Sequence, residues 1–270
     1  MTLKDYLEKA KKEKWAIGQF NFSTIEQLRG ILTAAKKLKS PVILGTSEGE
    51  SKYLGLREII ALVEISKTKY NLPVFLNLDH GKDLNWLKKA IDFGYPAVHF
   101  DGSGLLLEKN IEYAKKIVGY AHKKGVLVEG ELESIEKRNL TSPEKAEEFI
   151  KQTEVDSLAV AIGSVHSEAG KLNFKRLQEI HKKTNAFLVL HGGSGIPELE
   201  IKKAIKLGIV KININTELRL AWKRGLIQSL KNKEIKPYKI LPEVQKFVQK
   251  KVEEKIKIFG SKNKCKKKIF

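Results

Sequence analysis

Short apolar runs alternate with amphipathic stretches eight times along this chain, and few folds accommodate that rhythm. The runs are WAIGQFN (15–21), PVILGTS (41–47), PVFLNLD (73–79), PAVHFDG (96–102), GVLVEGEL (125–132), SLAVAIG (157–163), AFLVLHG (186–192) and IVKININ (209–215). Each has strand length, and each is followed by apolar residues at helical spacing, at 24–38, 54–69, 83–93, 109–124, 143–152, 174–183, 198–207 and 217–231. Local signals support the boundaries. Ser23 and Glu26 have the spacing of a capping box, and Ser142 before Pro143 predicts a helix start. Gly125 and Gly208 read as helix stops. The strands are apolar nearly throughout, as strands covered by helices should be. Repeated at roughly thirty-residue intervals, this is the pattern of an α/β chain folded as a (β/α)₈ TIM barrel. The alternative is an open doubly wound sheet.

Polar residues favour the barrel, because they gather where each strand ends. They are Asn21, Ser47, Asp79 with His80, Asp101 with Ser103, Glu131, His166, His191 with Ser194, and Asn213 with Asn215 and Thr216. Strand ends that are scattered in sequence converge on one mouth in a barrel, whereas an open sheet does not by itself explain the gathering. The expected organisation is one barrel domain over 1–260, including an additional C-terminal helix near 235–259, and a mobile basic tail at 261–270.

Composition narrows the function classes. The 270 residues are 41% hydrophobic, enough for a large core. The net charge of +19 raises the question of a nucleic-acid partner. The lysines, however, are spread over nearly every helical stretch at solvated-face spacing, and no zinc-finger or aromatic RNA-binding motif appears. The expectation is therefore no nucleic acid. No apolar run approaches the ~20 residues of a membrane span, and the amphipathic N-terminus lacks the apolar core of a signal peptide, so no membrane is expected either. Cys265 is the only cysteine and cannot form an internal disulfide, which makes a reducing, cytoplasmic setting the default.

Three of the six histidines, His80, His166 and His191, fall just past apolar runs. Three imidazoles with open positions left over are a common catalytic zinc arrangement. His99 lies within a strand, and His122 and His181 lie on helices; these three read as structural. Asp79, beside His80, suits a general acid/base. Glu131 suits either an alternate ligand or a carboxylate that orients a histidine ligand. HGGSG (191–195) exposes successive backbone N–H groups before a helix, and NINT (213–216) follows on the eighth strand. Barrel enzymes often hold phosphate with the loops after strands seven and eight. An anion on the N–H groups of Gly193, Ser194, Asn215 and Thr216 is therefore expected.

LDHG, LHGGSG and NINT, in that order, together with QFNFSTIEQLRG, DSLAVAIGSVH and KKVEEKIKIFGS, resemble the class II, metal-dependent ketose-bisphosphate aldolases over about residues 1–262. The resemblance implies an aldehyde-lyase that cleaves fructose 1,6-bisphosphate or tagatose bisphosphate reversibly. Asp79 would be the acid/base, and His80, His166 and His191 would bind one Zn²⁺ per subunit. Gly192, Gly193, Ser194 and Asn213 through Ile214 and Asn215 to Thr216 would hold dihydroxyacetone phosphate, with Asn21 and Ser47 nearby and a monovalent cation beside the phosphate. Cleaving the bond between C3 and C4 leaves a carbanion beside a carbonyl, which a Lewis acid suits, and Asn213 would hydrogen-bond the oxygen that gains charge.

Two stretches depart from the family pattern. Ser167 stands where the family has a phosphate-binding glycine. The segment ELESIEKRNLTSPEK is short and lacks the family's glycines, leaving Glu133 and Glu136 as alternative proton donors. These departures keep open a catalytically weak sugar-phosphate-binding homologue and a different metal-dependent lyase. Arg219, Arg224 and nearby lysines are candidates for a distal phosphate. The segment 235–259 carries more apolar residues than one face against the barrel needs, so a homodimer or homotetramer is expected.

Overall fold

The computed structural model describes residues 1–133, 139–164, 171–231 and 233–265. Among them, eight parallel strands close into a barrel in sequence order: β1 (Ile17–Asn21), β2 (Val42–Ser47), β3 (Val74–Gly81), β4 (Ala97–Asp101), β5 (Leu127–Glu131), β6 (Ser157–Ala159), β7 (Phe187–Leu190) and β8 (Ile209–Ile214). β8 pairs with β1 and closes the ring, which decides for the barrel over the open sheet. The outer layer is α2 (Ile25–Leu38), α4 (Leu56–Tyr70), α5 (Leu84–Asp92), α6 (Leu107–His122), α7 (Pro143–Thr153), α8 (Phe174–Lys183), α9 (Glu198–Lys206) and α10 (Thr216–Ser229). Three more helices complete the fold: α1 (Leu3–Glu13), α3 (Glu48–Leu54) and α11 (Pro237–Ile258).

Each added helix has a local cause and a separate task. α1 begins on a capping box in which Thr2 and Asp5 bond each other's backbone N–H. Its apolar residues Leu3, Tyr6, Leu7 and Ala10 follow helical spacing and are buried. They pack with Trp15, Ile17, Ile43, Ala97, Phe187 and Val210, closing the barrel's N-terminal end with an apolar plug. α3 is too short for its periodicity to show in the sequence. It is held by the Ser47–Glu50 capping box immediately after β2, and so lies at the opposite end of the barrel, where β2 finishes.

α11 packs on α2 and α10. Val244, Val248, Val252 and Ile256 are wholly buried there. The approach is close: a Cβ on Gly30 of α2 would lie 2.9 Å from the Gln245 carbonyl, and one on Gly225 of α10 would lie 2.8 Å from Val244 Cα. Most of the apolar stripe of 235–259 is thus used inside the protomer. Ile235 and Tyr238 stay exposed, as do Leu220, Ile227 and Leu230 of α10 and the turn that follows it.

One sequence expectation needs correcting. The cap of α2 is Thr24 rather than Ser23; Thr24 accepts from the Gln27 N–H, while Gln27 reaches back to the Ser23 N–H. The first turn simply starts one residue later. Beyond α11 the Asn263 and Cys265 N–H groups donate to the Leu38 and Lys39 carbonyls. Among the described residues no helix is long and apolar enough to cross a membrane.

Candidate active site

The site is built where β3 stops being regular. Leu78 opposes Val98 and Gly81 opposes Phe100, so β3 carries one residue more than β4 over that span. This is a bulge, and His80 sits in it with φ at +48°. A left-handed backbone at a non-glycine residue costs about 1–3 kcal/mol and persists only where its surroundings hold it. Here the His80 N–H donates to Nδ1 of His99 at 3.1 Å. In a regular strand Asp79 and His80 would face opposite sides; the bulge brings both to one cluster.

Three imidazoles meet at the centre of that cluster. Ring centroids are 4.7 Å apart for His80 and His99, and 4.8 Å for each of these with His191. Asp79, His80, His99 and His191 each offer a ligand atom within 4.8 Å of the others. His99, read from the sequence as structural, is therefore part of the site. His122 and His181 lie outside it: His122 pairs with Asp156 at 2.9 Å, and His181 sits on α8 against Gly208.

The outer nitrogens of His80 and His191 each face a carboxylate. His80 Nδ1 lies 3.2 Å from Asp101 Oδ2 and 3.5 Å from Glu131 Oε2. His191 Nε2 lies 2.6 Å from Glu129 Oε1. With a carboxylate beside each of these nitrogens, His80 Nε2 and His191 Nδ1 face each other at 3.0 Å, a separation that a shared cation, a proton or a metal ion, can bridge. Ligand nitrogens in a tetrahedral zinc site, at Zn–N of about 2.0–2.1 Å, are about 3.3 Å apart. Carboxylates behind the far nitrogens are the usual support of histidine ligands. The donor set fits a divalent metal.

The remaining polar residues support this centre. Asp79 is buried and accepts from Asn213 Nδ2 at 3.0 Å and from Asn21 Nδ2 at 2.9 Å. Burial alone would push the Asp79 carboxyl up, but His80, His99 and His191 outweigh it and hold the group well below the usual carboxylate range. Glu131 Oε2 also lies 3.2 Å from His99 Nε2. Glu129 is pushed up by burial and brought down further by Lys211 and His191; Lys211 Nζ donates to its Oε2 at 2.6 Å. Glu50 of α3 accepts from Asn21 at the end of β1 and from Asn215 and Arg219 at the start of α10, joining these elements beside Asp79.

A cavity of about 310 Å³ opens above Asp79, His80 and His191. Ser47, Gly192, Ser194, Asn213, Asn215, Thr216 and Arg219 line the rest of it. Gly192 has φ +63°, and a Cβ on Gly193 would lie 2.6 Å from Ile212, so this turn needs its glycines. Asn21, Gly193 and Ile214 do not line the cavity; Asn21 lies behind Asp79, and Ile214 belongs to the hydrophobic core. Arg224 is exposed away from it.

Comparison with known proteins agrees with this geometry. The family model described as fructose-bisphosphate aldolase class-II matches residues 1–264. This chain belongs to the class II fructose-bisphosphate aldolase family. It is 38% identical to the fructose-bisphosphate aldolase of Staphylococcus aureus, over 98% of this chain and 99% of that one. It is 39% identical to the 6-phospho-5-dehydro-2-deoxy-D-gluconate aldolase of Shouchella clausii, over 96% and 94%. Among solved structures, the YdjI aldolase from Escherichia coli K12 superposes with a TM-score of 0.91 at 34% identity, covering 98% of this chain and 100% of that one.

As a class II aldolase the chain is a lyase of a metal-dependent family that acts on small phosphorylated sugars. His166, Ser167 and Glu136 lie outside the described residues. Glu133 is half-buried, in a separate cavity of about 250 Å³ whose wall includes Lys145. His99, Glu129, Glu50 and Lys211 are site residues that the sequence reading missed. One signal was available for the strand residues: polar side chains two apart in otherwise apolar strands (Gln19 and Asn21, Asn77 and Asp79, His99 and Asp101, Glu129 and Glu131) share a face.

Proposed function

We propose that this aldolase catalyses the reversible, zinc-dependent cleavage of a ketose 1,6-bisphosphate, fructose 1,6-bisphosphate, to dihydroxyacetone phosphate and glyceraldehyde 3-phosphate. The observation that carries the reading is the pair of carboxylate-backed imidazole nitrogens facing each other 3.0 Å apart beside Asp79. His80 and His191 would hold one zinc ion per subunit. His166 is the third ligand by family resemblance, and Glu131 steadies His80 and His99 from behind. When bound, the ion supplies Lewis-acid polarisation of the substrate carbonyl.

The chain's own residues do the rest. Asp79, kept ionised, takes the proton of the C4 hydroxyl in cleavage and returns it in condensation. Asn21 and Asn213 fix its carboxylate by donating to both oxygens. Asn213, at the cavity wall, would also hydrogen-bond the oxygen that gains charge. Ser47, Gly192, Ser194, Asn213, Asn215 and Thr216 hold the phosphate next to the reacting carbons, with Ser167 and a monovalent cation as further contributors. Arg219, at the cavity wall, meets the distal phosphate. The exposed apolar residues of α10 and the turn into α11 form the contact of a homodimer or homotetramer, so a ~30 kDa monomer in light scattering at micromolar concentration would exclude that assembly.

A second substrate reading has a specific basis: the relative named for 6-phospho-5-dehydro-2-deoxy-D-gluconate is as similar as the one named for fructose bisphosphate. Steady-state kinetics on the zinc-loaded protein with fructose 1,6-bisphosphate, tagatose 1,6-bisphosphate and that compound decide among the three. The highest kcat/KM belongs to the first if the reading holds. Triose-phosphate release that is indifferent to a chelator would remove the metal mechanism altogether.

A further inference from the structure

One ion pair outside the metal cluster, its lysine buried and its glutamate partly so, ends on the glycine turn. Lys255 of α11 is 3% exposed, and its Nζ lies 2.7 Å from Glu217 Oε2 and 3.0 Å from Oε1. Glu217 stands in the first turn of α10, and its Oε1 accepts the Gly195 N–H at 2.8 Å. The Glu217 N–H in turn donates to Ser194 Oγ at 3.3 Å. A single side chain thus ties three elements together: α11, the start of α10 and the Gly192–Gly195 turn. Its placement is electrostatically awkward. A carboxylate bonded to the turn that would bind an anion repels that anion unless a cation neutralises it. A buried ion pair is a poor device for stability alone, since taking both charges out of water offsets most of their attraction.

We infer that Glu217 and Lys255 are positioning residues for phosphate binding. Glu217 sets the turn by accepting from Gly195, and Lys255 cancels the charge that this acceptor brings beside the phosphate. The C-terminal helix is then a working part of the active site as well as a cover for α2 and α10. The inference rests on the reading that the Gly192–Ser194 turn holds the substrate's phosphate.

The test measures dihydroxyacetone phosphate binding to the zinc-loaded protein by calorimetry, with zinc content and melting temperature recorded for each variant. Lys255→Met leaves the carboxylate uncompensated and should weaken binding roughly tenfold, the scale of one charge-assisted interaction, with zinc content unchanged. Adding Glu217→Gln to Lys255→Met removes the charge, keeps an acceptor for Gly195, and should restore binding to within about twofold. A merely structural pair would lower the melting temperature in Lys255→Met without moving the affinity, and that result overturns the inference. If Lys255→Met does not fold, the neutral double variants decide. Glu217→Gln with Lys255→Met should bind about tenfold more tightly than Glu217→Ala with Lys255→Met, and equal affinities overturn the inference. Gly193→Ala separates the two layers of the argument. Unchanged affinity there removes the phosphate reading and the inference with it, whereas weakened affinity there beside a normal Lys255→Met removes the inference alone.

Discussion

The two ends of this barrel are built from the same eight strands and could hardly differ more. At the N-terminal end Ile17, Ile43, Phe75, Ala97, Leu127 and Phe187 meet Leu3, Tyr6 and Leu7 of α1, and the opening is sealed by apolar contact. Two to four residues further along the same strands stand Asn21, Asp79, His99, Asp101, Glu129, Glu131 and, just past β7, His191. All of these are buried or nearly so and bonded to one another. The plug tolerates variation in shape within a given volume, because dispersion and hydrophobic burial have no direction. The polar end does not, because each group there is satisfied only by partners at particular distances and angles. Placing the two at opposite ends lets the apolar end carry stability while the other carries strain, such as the left-handed backbone of His80, that a less anchored barrel would relax.

The comparison can be broken at either end. The largest effect is expected for His191→Ala, which removes one of the two facing nitrogens and should abolish both zinc content by metal analysis and aldol cleavage. A variant that kept stoichiometric zinc would show that the histidine pair is not the metal centre. Asp79→Asn should lower kcat about 10³-fold with zinc retained, within the usual range for a lost general base; loss of the metal as well would make Asp79 a ligand instead. At the other end, Leu7→Ala should cost about 2–5 kcal/mol of stability in denaturant unfolding, with kcat/KM of the folded fraction unchanged. A changed kcat/KM would mean that the plug and the site are mechanically coupled. Glu129→Gln is the mildest. It keeps the shape but weakens the hold on His191 and leaves Lys211 without its charge partner. It should reduce zinc affinity about 10–100-fold, as loss of a supporting carboxylate usually does, and should reduce the melting temperature slightly.

Much of the active site could be read along the chain, and the part that could not shares one cause. Asp79, His80 and His191 were identifiable because each stands where an apolar run gives way to a turn, a property of consecutive residues. His99 and Glu129 lie inside strands, and whether an interior strand residue faces the barrel axis or the helices depends on register with neighbours far away in sequence. Glu50 reaches Asn21 and Arg219 only because α3 folds back over the end of β1, and seven residues of helix leave no period to detect. The bulge at His80 is also invisible locally, since it exists only relative to β4.

The sequence by itself determined the class of this protein: the alternating strand and helix periods, the cap at Ser142, the apolar seam of α11 and the order of polar residues at the strand ends. These are short-range properties set by side-chain sterics and hydrophobic spacing, so they are written in neighbouring residues. Only the tertiary structure decided which nitrogens face each other, which carboxylate stands behind each ring, and that a lysine from the last helix ends beside the glycine turn. Those pairings depend on the closure of β8 onto β1 and on the stagger of the strands, which bring together atoms from 21 to 111 residues apart along the chain.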